Sequence, residues 1–182
     1  TSSNAAHIVQ SLDSDTVIFI PDEYLAKNVA RETGKHIIFP DSSPSEKSTE
    51  IDKVFVGWRG KCEVHDQVRV SDIEEVRRQF PNVQVLAHPE CPPDVVEASD
   101  FSGSTSAMIR HVQDHDAERY LLLTECAMGD NIIAENKDRN ILRMCSVRCP
   151  HMNQITLEDT LSCLKNQKFE VTVPEEVRIR AR

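Results

Sequence analysis

The chain has 182 residues, 39% of them hydrophobic, enough to bury one good core or two small ones, so a globular protein is expected rather than a disordered tail. Its net charge of −9 is spread without basic blocks, which argues against nucleic acid and anionic membrane surfaces as partners. No apolar run approaches the roughly 20 residues needed to span a bilayer, and the opening Thr1-Ser2-Ser3-Asn4 lacks a signal-peptide pattern, so an intracellular, cytoplasmic location is expected, or a plastid in a photosynthetic eukaryote.

In chain order, Thr16–Pro21, His36–Pro40, Val54–Trp58, Val83–Ala87, Tyr120–Thr124 and Ile141–Cys145 read as short apolar strands rich in Val and Ile. Between them, Asp22–Thr33 has helical periodicity and a stop signal at Gly34. Ser71-Asp72-Ile73-Glu74 has the form of a capping box opening a helix that runs to Phe80. The polar stretch Asp41–Asp52 has loop composition. Phe169–Arg182 reads as a strand-like segment and the start of a helix at Pro174-Glu175-Glu176. Strands alternating with helices predict an α/β fold whose parallel sheet is covered on both faces.

An internal repeat organises these elements. Thr1-Ser2-Ser3-Asn4-Ala5, a helix, a strand and Asp22-Glu23 overlay Gly103-Ser104-Thr105-Ser106-Ala107, a helix, a strand and Thr124-Glu125, at a constant offset of 102 residues. From Glu23 to Cys62 is 39 residues and from Glu125 to Cys149 is 24, and the Asp41–Asp52 stretch accounts for most of the difference. Cys62 and Cys149 thus occupy comparable places in two α/β units. Equivalent loops at strand ends are where such folds collect ligands. Two thiolates are an incomplete metal set, which calls for a third unit with a third cysteine.

The six cysteines of an intracellular chain are expected as buried thiols or ligands rather than disulfides. Cys91, Cys126 and Cys163 read as small fillers. Cys145, four residues before Cys149, is open between a spare ligand, a redox partner of Cys149 and strand filling. Arg59, Lys61 and Arg148 flank the candidate ligands, where they either lower a thiolate pKa or are solvated loop charges. Glu23 and Glu125 read as residues of helix N-termini.

Gly57-Trp58-Arg59-Gly60-Lys61-Cys62-Glu63-Val64-His65, Ala87-His88-Pro89-Glu90-Cys91, Gly103-Ser104-Thr105-Ser106-Ala107-Met108 and Cys149-Pro150-His151-Met152-Asn153, with the opening Thr1-Ser2-Ser3-Asn4-Ala5, resemble the signature segments of quinolinate synthases in order and spacing. The resemblance covers nearly the whole chain outside the polar stretch. It implies repeated three-layer α/β/α units with short parallel sheets around a pseudo-threefold axis, two of three being present: residues 1–64 as the second unit, 65–149 as the third, and 150–182 as a C-terminal helix and extended segment. It implies a [4Fe–4S] cluster with Cys62 and Cys149 as two of three cysteine ligands, the third coming from an N-terminal domain outside this sequence. Glu90 and His88 match the acid–base pair, and Ser2, Ser3, His65, His88, Pro89, Glu90, Ser104 and Thr105 match substrate contacts. The implied reaction condenses iminoaspartate, delivered by L-aspartate oxidase or an aspartate dehydrogenase, with dihydroxyacetone phosphate to give quinolinate for NAD biosynthesis. The competing reading is a non-catalytic fragment that binds a partner chain or a structural zinc ion through Cys145, Cys149, His151 and Cys62.

Overall fold

A computed structural model describes residues 2–39 and 54–180, and the polar stretch Asp41–Asp52 lies outside the described residues. They divide into two compact units, residues 1–148 and 149–182. The first unit carries two sheets. The opening one holds β1 (Thr16–Phe19), β2 (His36–Ile38) and β3 (Val54–Gly57) in the order β1-β3-β2. The other holds β4 (Val83–Ala87), β5 (Phe101–Ser102), β6 (Arg119–Leu123) and β7 (Ile141–Arg143) in the order β5-β4-β6-β7. Every described strand pair is parallel, and the α/β class follows. β5 was not expected from sequence: two residues carry no periodicity, and it forms because Leu86 and Ala87 of β4 pair with it.

The helices are α1 (Ala5–Ser11), α2 (Glu23–Thr33), α3 (Val70–Gln79), α4 (Pro93–Ala98), α5 (Thr105–Asp114) and α6 (Cys126–Glu135) in the first unit. Helix α2 starts where the Asp22 carboxylate accepts the Leu25 N–H and stops at Gly34, whose φ of 69° is the left-handed conformation that lets a helix end without a Cβ clash. Helix α3 begins at Val70, one residue before the expected Ser71 cap. The carboxylate that reaches back is Asp72, accepting the Arg69 N–H at 2.8 Å, because Asp72 rather than Glu74 sits one turn into the helix.

The second sheet is covered on both faces as expected. Val83, Val85, Ala87, Leu121 and Leu123 pack on Ile73 of α3 and Val95 of α4, while Leu86, Tyr120 and Leu122 pack on Met108 and Val112 of α5 and Ile132 of α6. In the first sheet the described residues show one covered face. Helices α1 and α2 both cover its Val17 and Phe19 face, and on the other face Ile18 and Ile20 are 72% and 65% exposed among the described residues. Where β3 ends, a Cβ on Gly57 would lie 2.5 Å from the Phe39 ring, so any larger residue there must displace one or the other.

The repeat is visible in the pairing. β1 pairs with β3, which leads to Cys62, as β6 pairs with β7, which leads to Cys149. At the start of α2 the Glu23 N–H donates to Gly60 O (2.7 Å), two residues before Cys62. At the start of α6 the Cys126 N–H donates to Val147 O (3.1 Å), two residues before Cys149. Among the described residues the outer strand β2 has no counterpart in the second sheet, so part of the extra length in the first repeat is a strand and not loop alone.

The second unit holds α7 (Leu157–Asn166) and α8 (Glu175–Arg180). Thr156 Oγ1 accepts the Asp159 N–H at 3.0 Å while the Asp159 carboxylate accepts the Thr156 N–H at 3.2 Å, a reciprocal cap. The strand-like segment expected after Phe169 forms no strand, having no described neighbour to pair with, and α8 begins at Glu175 as the sequence suggests.

Candidate active site

Two loops at the carboxyl ends of strands build the site. The first follows β3 and carries Cys62 and His65; it is held by Trp58 N–H to Phe19 O (3.1 Å) and by Asp22, whose second carboxylate oxygen accepts the Cys62 N–H at 2.8 Å. On its outer side, Lys61 Nζ donates to the Tyr24 hydroxyl (2.8 Å), which donates to Asp66 Oδ1 (2.6 Å). The second loop, His88-Pro89-Glu90, leaves β4. Asn28 of α2 clamps it from the other sheet by donating Nδ2 to Pro89 O (2.8 Å) and Cys91 O (3.1 Å). Hydrophobic alternation points to neither Asp22 nor Asn28, since both are buried polar residues whose partners lie far away in sequence.

Cys62, His65, His88, Glu90 and Ser2 meet here. The imidazoles of His65 and His88 stack with centroids 4.4 Å apart, Glu90 Oε2 lies 3.4 Å from His65 Nδ1, and Ser2 Oγ lies 3.3 Å from His88 Nε2. His65 Nε2 lies 3.0 Å from the Thr124 hydroxyl. The Glu90 N–H donates to His88 Nδ1 (3.3 Å), so a neutral His88 carries its proton on Nε2, facing Ser2. Ser3 and Ser104 line, with Ser2 and Pro89, a cavity of about 530 Å³ between α1, α2 and α5. Ser104 is buried and caps α5, its hydroxyl accepting the Ala107 N–H, whereas Thr105 begins that helix exposed. Cys149 is half-buried and belongs to the second unit.

The charges follow from this packing. Burial opposes protonation of His65, but hydrogen bonding to Cys62 and then to Glu90 outweighs it and raises the ring to about 9. Burial and the neighbouring His65 charge push His88 down to about 4. The Cys62 thiol is lowered by its bond to His65 against the opposing effect of burial, and Glu90 is lowered by His65 in the same way. The cation that activates Cys62 is therefore His65. Of the flanking basic residues, Lys61 is engaged with Tyr24, Arg59 lies over the Phe39 ring at 5.0 Å, and Arg148 Nε donates to Cys145 O.

His65 Nδ1 is buried without a hydrogen bond of good geometry; its proximity to Glu90 is an ion-pair contact. The ligand atoms of Cys62, His65 and Glu90 lie within 4.8 Å of one another. The Cys62 thiol, lowered and clustered with the ligand atoms of His65 and Glu90, fits a metal group anchored on Cys62. Cys91 does not fit, because it is fully buried and pushed up to about 12 by burial. Cys126 and Cys145 form a disulfide, against the expectation of free thiols. The pairing takes Cys145 by none of the three roles open to it in sequence, and it removes Cys126 from the unpaired fillers. The pairing brings the start of α6 against the segment after β7, a proximity that linear spacing conceals. Glu125 caps α6 by accepting the Ala127 N–H at 2.6 Å, and Glu23 pairs with Lys27 at 2.6 Å, so both are helix-terminus residues.

Residues 1–182 match the family described as Quinolinate synthetase A protein over their whole length. This chain belongs to the quinolinate synthase family. Among curated relatives it is 42% identical to Quinolinate synthase 1 of Mesorhizobium japonicum over all of this chain and 50% of that protein. It is 44% identical to the quinolinate synthases of Agrobacterium fabrum and Xylella fastidiosa, again over all 182 residues and over 47% and 48% of those proteins. The chain thus spans about half the length of these quinolinate synthases. No helix among the described residues is long and apolar enough to cross a membrane.

Proposed function

We propose that this chain forms part of a quinolinate synthase that condenses iminoaspartate with dihydroxyacetone phosphate, with Cys62 and Cys149 as two thiolate ligands of a [4Fe–4S] cluster. The third thiolate comes from an N-terminal domain outside this chain, and iminoaspartate comes from L-aspartate oxidase or an aspartate dehydrogenase. The observation that carries the reading is the meeting of the Cys62 thiol, the stacked imidazoles of His65 and His88 and the Glu90 carboxylate beside a serine-lined cavity. When bound, the cluster supplies Lewis-acid chemistry to a departing or chelating oxygen.

The chain's own residues supply the rest. His88, neutral with its proton on Nε2, donates to a substrate oxygen on the Ser2 side. Glu90, held ionised by His65, takes the protons that ring closure and dehydration release. Ser2, Ser3 and Ser104, with Thr105 beside them, offer hydroxyls to carboxylate and phosphate oxygens, and Pro89 closes the wall. The alternative zinc site on Cys145, Cys149, His151 and Cys62 loses one ligand to the Cys126–Cys145 bond.

Anaerobic reconstitution with iron and sulfide, alone and with the N-terminal domain of a relative, tests this. About four irons per complex, lost in Cys62→Ser or Cys149→Ser, are expected with the added domain. Zinc at unit stoichiometry, or no iron with the domain demonstrably bound, would sink the assignment.

A further inference from the structure

Asp22 and Thr124 are the same position of the internal repeat, each following the strand, β1 or β6, that pairs with a strand leading to a candidate ligand cysteine. Both are buried, at 3% and 4% exposure, and their side chains differ in kind. Yet both reach the one loop that holds Cys62 and His65. We propose that Asp22 and Thr124 are the positioning residues of this loop, the Asp22 carboxylate fixing the main chain at Cys62 and the Thr124 hydroxyl fixing the ring of His65. The proposal rests on the reading of Cys62 as a ligand and of His65 as a member of the site.

Asp22 does more than cap a helix. A cap uses one oxygen, here Oδ1 with the Leu25 N–H at 2.8 Å. Its other oxygen accepts the N–H of Cys62, 40 residues away in sequence, at 2.8 Å. The neighbouring Glu23 N–H to Gly60 O bond at 2.7 Å grips the same loop, so α2 and the thiol move as one body. The repeat explains why a single carboxylate can do this: the strand end, the helix start and the cysteine loop are built to meet in each unit.

Thr124 works on the side chain instead. The His65 ring can turn about its last bond, which would exchange the edge facing Glu90 for the one facing Thr124. Stacking on His88 fixes the plane of the ring at 11° but not which nitrogen points where. The Thr124 hydroxyl at 3.0 Å from Nε2 settles that, leaving Nδ1 toward Glu90. A hydroxyl that follows β6 of the second sheet thus sets which edge of the His65 ring faces Glu90 on the first sheet's cysteine loop.

Nitrogen-15 NMR of the histidine rings in this chain, together with amide hydrogen exchange, tests both halves without metal or turnover. Thr124→Val, equal in volume, is expected to shift the His65 ring nitrogens and Thr124→Ser to restore them, with Thr124→Ala giving the same shift should valine not be accommodated. Asp22→Asn keeps one acceptor oxygen for Leu25 and is expected to speed exchange of the Cys62 amide about tenfold while the Leu25 amide keeps its protection. Unchanged His65 resonances in both Thr124→Val and Thr124→Ala, or unchanged Cys62 exchange in Asp22→Asn, would overturn the proposal. Failure of the synthase reading has a different signature, an iron count of zero with these NMR signals intact.

Discussion

His65 and His88 share one stack whose surroundings push them apart: Cys62 and Glu90 raise His65, while burial and the His65 charge lower His88. His88 regains its ordinary value of 6.5 on unfolding, whereas the fold holds it at about 4. The unfolded chain therefore binds this proton first; the contribution is intact above pH 6.5 and is lost as pH falls toward 4. Urea unfolding across that window is expected to be flatter in His88→Asn, and parallel profiles for the two proteins would refute the shift. The thiols give a second residue-level expectation. Cys62, half-buried with a lowered pKa, should be alkylated by iodoacetamide near neutral pH well before Cys91, buried and pushed up to about 12. Mass spectrometry of the peptides reads the order directly, and equal rates would mean that His65 does not activate Cys62. Of this candidate site, the internal repeat singles out Cys62 in sequence, whereas His65, His88 and Glu90 stand out only through the resemblance of their segments to the family. Asp22, Asn28 and Thr124 do not stand out, since a buried polar residue reveals its role only through partners that folding brings to it.

The elements themselves were easier to read than their ends. Six of the seven described strands were legible as apolar runs, and β5 was missed because its pairing with β4, not its composition, makes it a strand. Gly34 was legible as a stop, and its φ of 69° makes a strong prediction. Gly34→Ala forces a Cβ into the left-handed region and is expected to cost about 1 kcal/mol, read as a lower denaturation midpoint at unchanged m-value. Gly57→Ala is a different case, because the obstacle is the Phe39 ring 2.5 Å away. It displaces the strand that delivers Cys62, so slower alkylation kinetics at Cys62 should accompany its loss of stability, while a destabilised protein with native Cys62 reactivity would show that β3 and the loop are uncoupled.

Across the first unit, the sheets differ in how they meet solvent. The second buries both faces, while the first leaves Ile18 and Ile20 exposed and β1 without a described partner on the edge equivalent to the one β4 fills on β6. An apolar face beside an open strand edge associates. Light scattering of this chain is expected to rise with concentration, and less steeply in Ile18→Lys/Ile20→Lys; a monodisperse wild-type chain would contradict this. The parallel pairing of every described strand has a kinetic side as well. Thr16 meets Val54 and Val83 meets Arg119, so no pair can zip up from a tight turn, and each must wait for a crossover of about a dozen residues or more to be closed first. Assembly of such a chain takes roughly milliseconds to seconds, during which unpaired edges stay open to other copies. Dilution and low temperature during refolding should therefore govern how much native protein is recovered.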